Sequence, residues 1–271
     1  MKLIWENHLA FDPKILSDRI NFINKGIKGL MYVYGSEEKR LQEYANRYNI
    51  PIEELYSIRH KLRIQREIHV SKKFEESKPM ITTKFDQLID MAASTDNVRY
   101  MVRQFLLETG MPIVKVIRFV TTLPEFINLK KDAAEYLQQI NEKFYKLEID
   151  SHKKAMRFEA SLVDYLKVSY DIPFKTENEI RAAGINVTPD ILFDNAIELE
   201  VDGEKHIIRW IDAKNYILVN IRFIVRSITK QAAKYNDAYG MGAFVFRYGF
   251  DSSIKIPGVI MLDASYLEKL F

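Results

Sequence analysis

Thr188-Pro189-Asp190, followed further along by Asp212-Ala213-Lys214, is the stretch whose reading decides how this chain folds and what it does. Each acid lies beside a run rich in β-formers, Ile191-Leu192-Phe193 after Asp190 and Ile207-Ile208-Arg209-Trp210-Ile211 before Asp212. Such runs hold their acids at the edge of a sheet. Side chains alternate along a strand with period two, so Lys214 points to the same side as Asp212. Two carboxylates and an ammonium then converge on one spot. Carboxylate oxygens are the ligands that Mg²⁺ takes, and a lysine beside them can orient a water and offset charge on a phosphate. The spacing points to a divalent-metal site for cutting nucleic acid.

Working outward, Thr188 to Phe193, Ala196 to Val201 and Lys205 to Asp212 read as three strands. The last two are joined by Asp202-Gly203, a dipeptide that favours a type I′ hairpin. Upstream, Glu177 to Ala183 forms a short helix capped by Gly184. Downstream, a helix from about Asn220 to Tyr239 stops at Gly240 and Gly242, strands follow over Ala243 to Tyr248 and Pro257 to Leu262, and Ala264 to Phe271 closes as a helix. Helix, three strands, helix, strand, strand is an α/β order. It predicts a mixed sheet flanked by helices over residues 151–271.

Residues 1–150 read as almost entirely helical. Leu41, Tyr44 and Ala45 recur at helical spacing, Tyr48-Asn49-Ile50-Pro51 breaks the pattern, and Leu55, Ile58 and Leu62 resume it. A second pair runs from Asn97 to Glu108 and from Pro112 to Val120, separated by Gly110. Two such pairs suit helix-turn-helix modules, and on pattern alone they suit an ordinary helical bundle better. Ser77 to Thr83, with Pro79, reads as a loop between the pairs. From about Lys130 to Val168 the pattern predicts one long helix or two stacked ones, broken near Asp150-Ser151.

The order of elements, with acids at these places, resembles the PD-(D/E)XK nuclease superfamily, the restriction-endonuclease-like fold. Thr188-Pro189-Asp190, the run from His206 to Lys214 and the later Tyr248-Gly249-Phe250 are similar to its TPD branch, over roughly residues 155–265. The resemblance implies that Asp190 and Asp212 are metal ligands, that Lys214 is the active-site lysine, and that Mg²⁺ or Mn²⁺ is the cofactor. It also implies a glutamate from the helix before the first strand, which falls on Glu159, and a polar residue near the scissile phosphate, which falls on Gln231. Lys234 shares a helix face with Gln231 and is a further candidate for phosphate contact. Animal members of the branch carry Glu where this chain has Asp212. TPD proteins are also similar in having helical, helix-turn-helix-like N-terminal regions, so the resemblance implies DNA contact there.

Composition narrows the field further. The chain has no cysteine, which excludes disulfides, thiolate zinc sites and cysteine nucleophiles. Its five histidines show no HxH or HExxH spacing, and it has neither a glycine-rich phosphate loop nor a GxSxG serine. No apolar run approaches the ~18 residues of a membrane span, so a soluble protein of the cytoplasm, nucleoid or nucleus is expected. The net charge of +3 is small, and its excess lies in the first 150 residues. There Arg59, Lys61, Arg63, Arg66, Lys72, Lys73 and Lys78 make a basic stripe that suits phosphate neutralisation or simply a solvated helix face. DNA is the expected partner and a homodimer is plausible. The rival readings are a DNA-binding scaffold on a retired nuclease fold and a nuclease acting on RNA. Glu198, Glu200 and Glu204 read as an exposed sheet face, with Glu200 a possible spare ligand.

Overall fold

A computed structural model describes residues 1–26, 36–265 and 267. Its strands are β1 (Lys2–Trp5), β2 (Ala10–Phe11), β3 (Phe174–Thr176), β4 (Ile191–Val201), β5 (Glu204–Lys214), β6 (Gly242–Phe246), β7 (Phe250–Asp251) and β8 (Val259–Asp263). Its helices are α1 (Pro13–Gly26), α2 (Ser36–Tyr48), α3 (Ile52–Ser71), α4 (Phe74–Ala93), α5 (Val98–Thr109), α6 (Ile113–Val120), α7 (Lys131–Ser169), α8 (Glu177–Ala182) and α9 (Arg222–Tyr239). The expected closing helix from Ala264 falls mostly outside the described residues.

Two compact units emerge, and both are discontinuous in sequence. One gathers Met1–Asn21, Asn49–Ile58 and His152–Phe271, and the other Phe22–Tyr48 and Arg59–Ser151. The first holds a mixed sheet in the order β1-β4-β5-β6-β8, with β3 also on β4. β4 and β5 form the expected hairpin, and both Asp202 (φ 52°) and Gly203 (φ 88°) take the positive φ that a type I′ turn requires. The crossover through α9 makes β5 and β6 parallel, and β6 is parallel to β8. Every residue of β6, Gly-Ala-Phe-Val-Phe, is buried, as expected for a strand covered on both faces.

Two sequence expectations change here. The two strands read on either side of Asp194 are one strand, because the backbone bulges rather than stops: Asp194, Asn195 and Ala196 loop outward where the β4–β5 register shifts between Leu192 and Ile197. The N-terminus is not helical from the start. Lys2–Trp5 pairs in parallel with Glu198–Val201, burying Leu3 and Trp5 completely or nearly so. Four residues with alternating burial are too short for a periodicity argument to register. The segment is fastened by the buried Asp263, whose carboxylate accepts the backbone N–H groups of His8 and Leu9, both at 2.6 Å, while its carbonyl takes Trp5 Nε1 at 2.8 Å. A buried charge is tolerable when hydrogen-bonded in this way.

α7 shows no break at Asp150-Ser151. It contains neither glycine nor proline, and Asp or Ser in a helix interior costs only a few tenths of a kcal/mol. Its second part, from Phe158 through Leu162 to Leu166, packs on the face of the sheet that carries Ile191, Phe193, Leu199 and Ile211. α9 covers the opposite face, where Tyr235 meets the fully buried Trp210 edge-on at 5.0 Å.

In the second unit, α4, α5, α6 and the first part of α7 share a core that includes Phe74, Ile81, Phe85, Val102, Phe105, Val116, Ile117 and Leu137. The predicted loop at Ser77 to Thr83 is helix instead, with Pro79 inside α4. A mid-helix proline costs ~3 kcal/mol. Burial of Phe74, Ile81, Phe85 and Leu88 along one stripe, at ~1.5–3 kcal/mol each, outweighs it. The second helix pair is present as α5 and α6, with Gly110 left-handed between them at φ 62°. α6 turns Ile113, Val116, Ile117 and Val120 inward and leaves Lys115 and Arg118 exposed.

Gly242 tests the tightness of the sheet. A Cβ built there would lie 2.1 Å from Trp210 Cδ2, so the indole must move. Gly242→Ala is expected to destabilise by about 1–3 kcal/mol, read from denaturant midpoints; an unchanged midpoint would mean that Trp210 is not clamped.

Candidate active site

The β4–β5 register builds the site. Ile191 pairs with Ile211, so the next step along the antiparallel ladder sets Asp190 opposite Asp212. Asp190 accepts the Ala213 N–H at 2.6 Å, which pins its carboxylate to the strand that carries Asp212 and Lys214. Asp212 and Lys214 share one side of β5, as alternation requires, and form an ion pair. The Lys214 ammonium also sits 5.0 Å over the ring of Phe244.

α9 holds the other side of Asp212. Tyr235 places its hydroxyl 3.0 Å from Asp212 Oδ2 and 3.1 Å from the Thr188 carbonyl, and its single proton can serve either. Gln231 donates to the Tyr235 oxygen at 2.9 Å and reaches Asp212 Oδ2 at 3.4 Å. The sequence points to Gln231 but leaves Tyr235 out, although the two lie one helical turn apart and share a face.

The third part of the site comes from α7 and α8. Glu159 of α7, Glu177 of α8 and Asp190 each offer a carboxylate oxygen within 4.8 Å of the other two. Glu177 is the member missing from the sequence reading. It opens a helix whose capping box joins Thr176 and Glu179, and an acid at a helix N-terminus has the purely local role of meeting the helix dipole. Its Oε1 accepts from Arg181 at 2.6 Å and from Thr188 Oγ1 at 3.3 Å. Glu200, by contrast, is tied to Lys2 at 2.7 Å, which gives it a structural partner.

Two of these acids are pushed towards their neutral forms. Burial first, and the Asp212 charge second, push the Asp190 carboxyl up from its ordinary 3.8 to about 8, against the pull of the Ala213 hydrogen bond and Lys214. Burial also raises Glu159, reinforced by Glu177 and Asp212. Burial and then the Asp212 charge hold the hydroxyls of Tyr216 and Tyr235 neutral well above the usual phenol range. Burial raises Glu54 as well, against the pull of Arg19, while Asp251 and Asp263 have backbone and serine donors. Acids that raise one another's pKa in a shared pocket are groups whose mutual repulsion a cation would relieve. An all-oxygen carboxylate set suits Mg²⁺ or Mn²⁺. Glu159, Glu177 and Asp190, with Asp212 on the neighbouring strand, could hold such an ion on that ground.

Residues 127–265, just over half of the chain, match the family described as "Protein of unknown function TPD sequence-motif". The chain belongs to this TPD family. An uncharacterized protein of Acanthamoeba polyphaga mimivirus is 34% identical over 268 residues, covering 98% of this chain and 96% of the viral protein. No solved structure matches the chain significantly. The TPD match takes in every acid of the site, together with Lys214, Gln231 and Tyr235.

The raised Asp190 carboxyl has a signed consequence. Unfolded, the group ionises near 3.8, and folded it keeps its proton up to about pH 8. Between these values the folded state binds the extra proton, so the stability of chelator-treated protein falls as pH rises. Thermal unfolding in EDTA is expected to show a lower midpoint at pH 8 than at pH 5, and Asp190→Asn should flatten that fall. Equal slopes for parent and variant would refute it. Tyr235→Phe removes a donor from a buried carboxylate and is expected to cost about 1.5–3 kcal/mol, measured by denaturant unfolding.

Proposed function

We propose that this protein is a divalent-metal-dependent nuclease that hydrolyses phosphodiester bonds in DNA, its sheet unit being a restriction-endonuclease-like catalytic domain. The observation that carries this is the convergence of Asp190, Asp212 and Glu159 with Lys214, groups brought from a helix, the residue before β4 and β5 to one half-buried region. Antiparallel neighbours bearing the two acids, with helices on both faces, support the fold reading.

Asp190, Asp212 and Glu159, joined by Glu177, would hold Mg²⁺ or Mn²⁺. Bound there, the ion supplies Lewis-acid stabilisation of charge on the phosphoryl and leaving oxygens. Lys214, fixed by Asp212 and the Phe244 ring, orients the attacking water and adds positive charge beside the phosphate. Tyr235 and Gln231 keep Asp212 oriented. Asp190 must give up its proton for the cluster to take a cation, so apparent metal affinity rises with pH.

Phosphate contacts from the helical unit form part of the same proposal. The basic stripe is less free than its sequence suggests: Arg63 lies 3.6 Å from Glu67 and over Phe144, Arg66 donates to Asn24 at 2.8 Å, and Lys78 pairs with Glu75 at 2.6 Å. Lys72 and Lys73, between α3 and α4, are exposed and best placed to meet a backbone.

The test is cleavage with Mg²⁺ or Mn²⁺ across single-stranded, duplex, flap and four-way-junction DNA, with RNA alongside. Asp190→Ala with Asp212→Ala should reduce turnover to background, and Lys214→Ala should lower it by about 10²–10⁴. Cutting by the double variant at the parent rate would overturn the assignment. DNA held in EDTA and never cut with metal would favour the scaffold reading instead.

A further inference from the structure

The segment between two of the clustered acids forms a cavity of about 370 Å³, lined by Arg181, Gly184, Ile185, Asn186 and Thr188. The segment is bounded by Glu177 and Asp190, two acids of the cluster. Two of its lining side chains, Arg181 and Thr188, touch Glu177 directly.

The wall is built rather than incidental. Three successive backbone carbonyls each lie within hydrogen-bond reach of a different side chain of α9: Asn186 of Lys234 at 3.4 Å, Val187 of Tyr239 at 2.5 Å, and Thr188 of Tyr235 at 3.1 Å, whose proton it shares with Asp212. Behind it, Gly184 N–H and Ile185 N–H close the end of α8 on the carbonyls of Arg181 and Ile180. Gly184 is left-handed at φ 77°, and a Cβ there would meet nothing within 4 Å, so the cavity is open on that side. A loop held at three consecutive residues by one helix is a preformed surface, as binding sites for small ligands usually are.

Its chemistry selects the occupant. Arg181 is largely exposed and presents a planar fork suited to phosphate. Lys234 adds a second cation at the rim. Ile185 is an exposed apolar side chain that can meet the face of a base or a sugar, and the Asn186 amide can donate to and accept from a base edge. Cation, apolar surface and amide in one small cavity match a nucleotide.

We propose that this cavity is the subsite for one nucleotide of the bound strand, the nucleotide adjoining the scissile phosphate, with Arg181 on its phosphate and Asn186 on its base. This rests on the nuclease reading and assigns the contacts that place the strand. Arg181 leaves Glu177 as it takes the phosphate, so strand binding and release of a carboxylate to the metal cluster are coupled.

Two measurements separate the subsite from the reading on which it rests. In the first, full-length ¹⁵N-labelled protein in EDTA is titrated with deoxyadenosine 5′-monophosphate, and in parallel with inorganic phosphate. The backbone amides of Gly184, Ile185 and Asn186 should shift with the mononucleotide and much less with phosphate, and Asn186→Ala should weaken binding about tenfold. In the second, cleavage with Mg²⁺ should show KM raised about tenfold by Asn186→Ala or Ile185→Ser with kcat within about twofold. Arg181→Ala also frees Glu177 and is read beside these two. Parent protein that cuts no DNA but still binds the mononucleotide at Gly184–Asn186 would sink the nuclease reading and leave a nucleotide site. Active protein whose amides stay unmoved and whose KM survives both substitutions would overturn the subsite. Equal shifts from phosphate and mononucleotide would reduce it to an anion contact and overturn it too.

Discussion

The hydrogen bond from Ala213 N–H to the Asp190 carboxylate, at 2.6 Å, is the contact on which the site depends. It joins the end of one strand to the middle of the acidic motif on its neighbour, and so fixes where two carboxylates meet. Neither can be well solvated there. With the Asp212 charge close by, Asp190 is driven towards its neutral form unless a cation arrives. The fold therefore holds acids where they repel, a cost that a purely structural pocket has no reason to carry. Elsewhere in the same unit, Asp263 takes backbone N–H groups from three residues, and Glu54 takes Arg19.

What keeps the acids together is packing on both faces of the sheet. α7 brings Glu159 because Phe158, Leu162 and Leu166 bury against β4 and β5, which turns that stretch of helix toward the sheet. On the other face, Trp210 is fully buried, donates to the Gly240 carbonyl at 2.9 Å and supports Tyr235 edge-on. Tyr235 then reaches Asp212 on β5 and Thr188 just before Asp190. One phenol thus links helix, strand and loop at the point where the acids converge. Gly242 lets β6 approach the indole closely enough for this to hold.

The helical unit follows a different logic. Its cationic side chains are drawn into ion pairs and ring contacts, as long side chains are when apolar surface lies nearby. α6, the second helix of its pair, spends most of its surface on the shared core and leaves two cations outside. A helix this short and this buried offers little base-edge readout, so contact with nucleic acid through this unit would be contact with the backbone.

Much of the sheet was legible from the chain alone. The β-rich runs at Ile191 and Ile207, the Asp202-Gly203 turn and the alternation that puts Lys214 beside Asp212 are local features, and local sterics decide them. Asp190, Asp212, Lys214 and Glu159 could be named as a cluster by motif, and the structure brings their carboxylates and ammonium to one region. The continuity of β4 across Asp194 and of α7 across Ser151 was hidden, because polar residues imitate breaks when burial elsewhere keeps the element going. The strand at Lys2 was hidden because its partner, Glu198, lies far along the chain. Sequence by itself determined which residues sit on which side of β5 and that each of two acids would lie beside a strand. Only the tertiary structure decided that Glu177 joins Glu159 and Asp190, and that α9 grips three carbonyls in a row. Those distances are set by how helices bury their apolar faces on a sheet, and no local periodicity records the outcome.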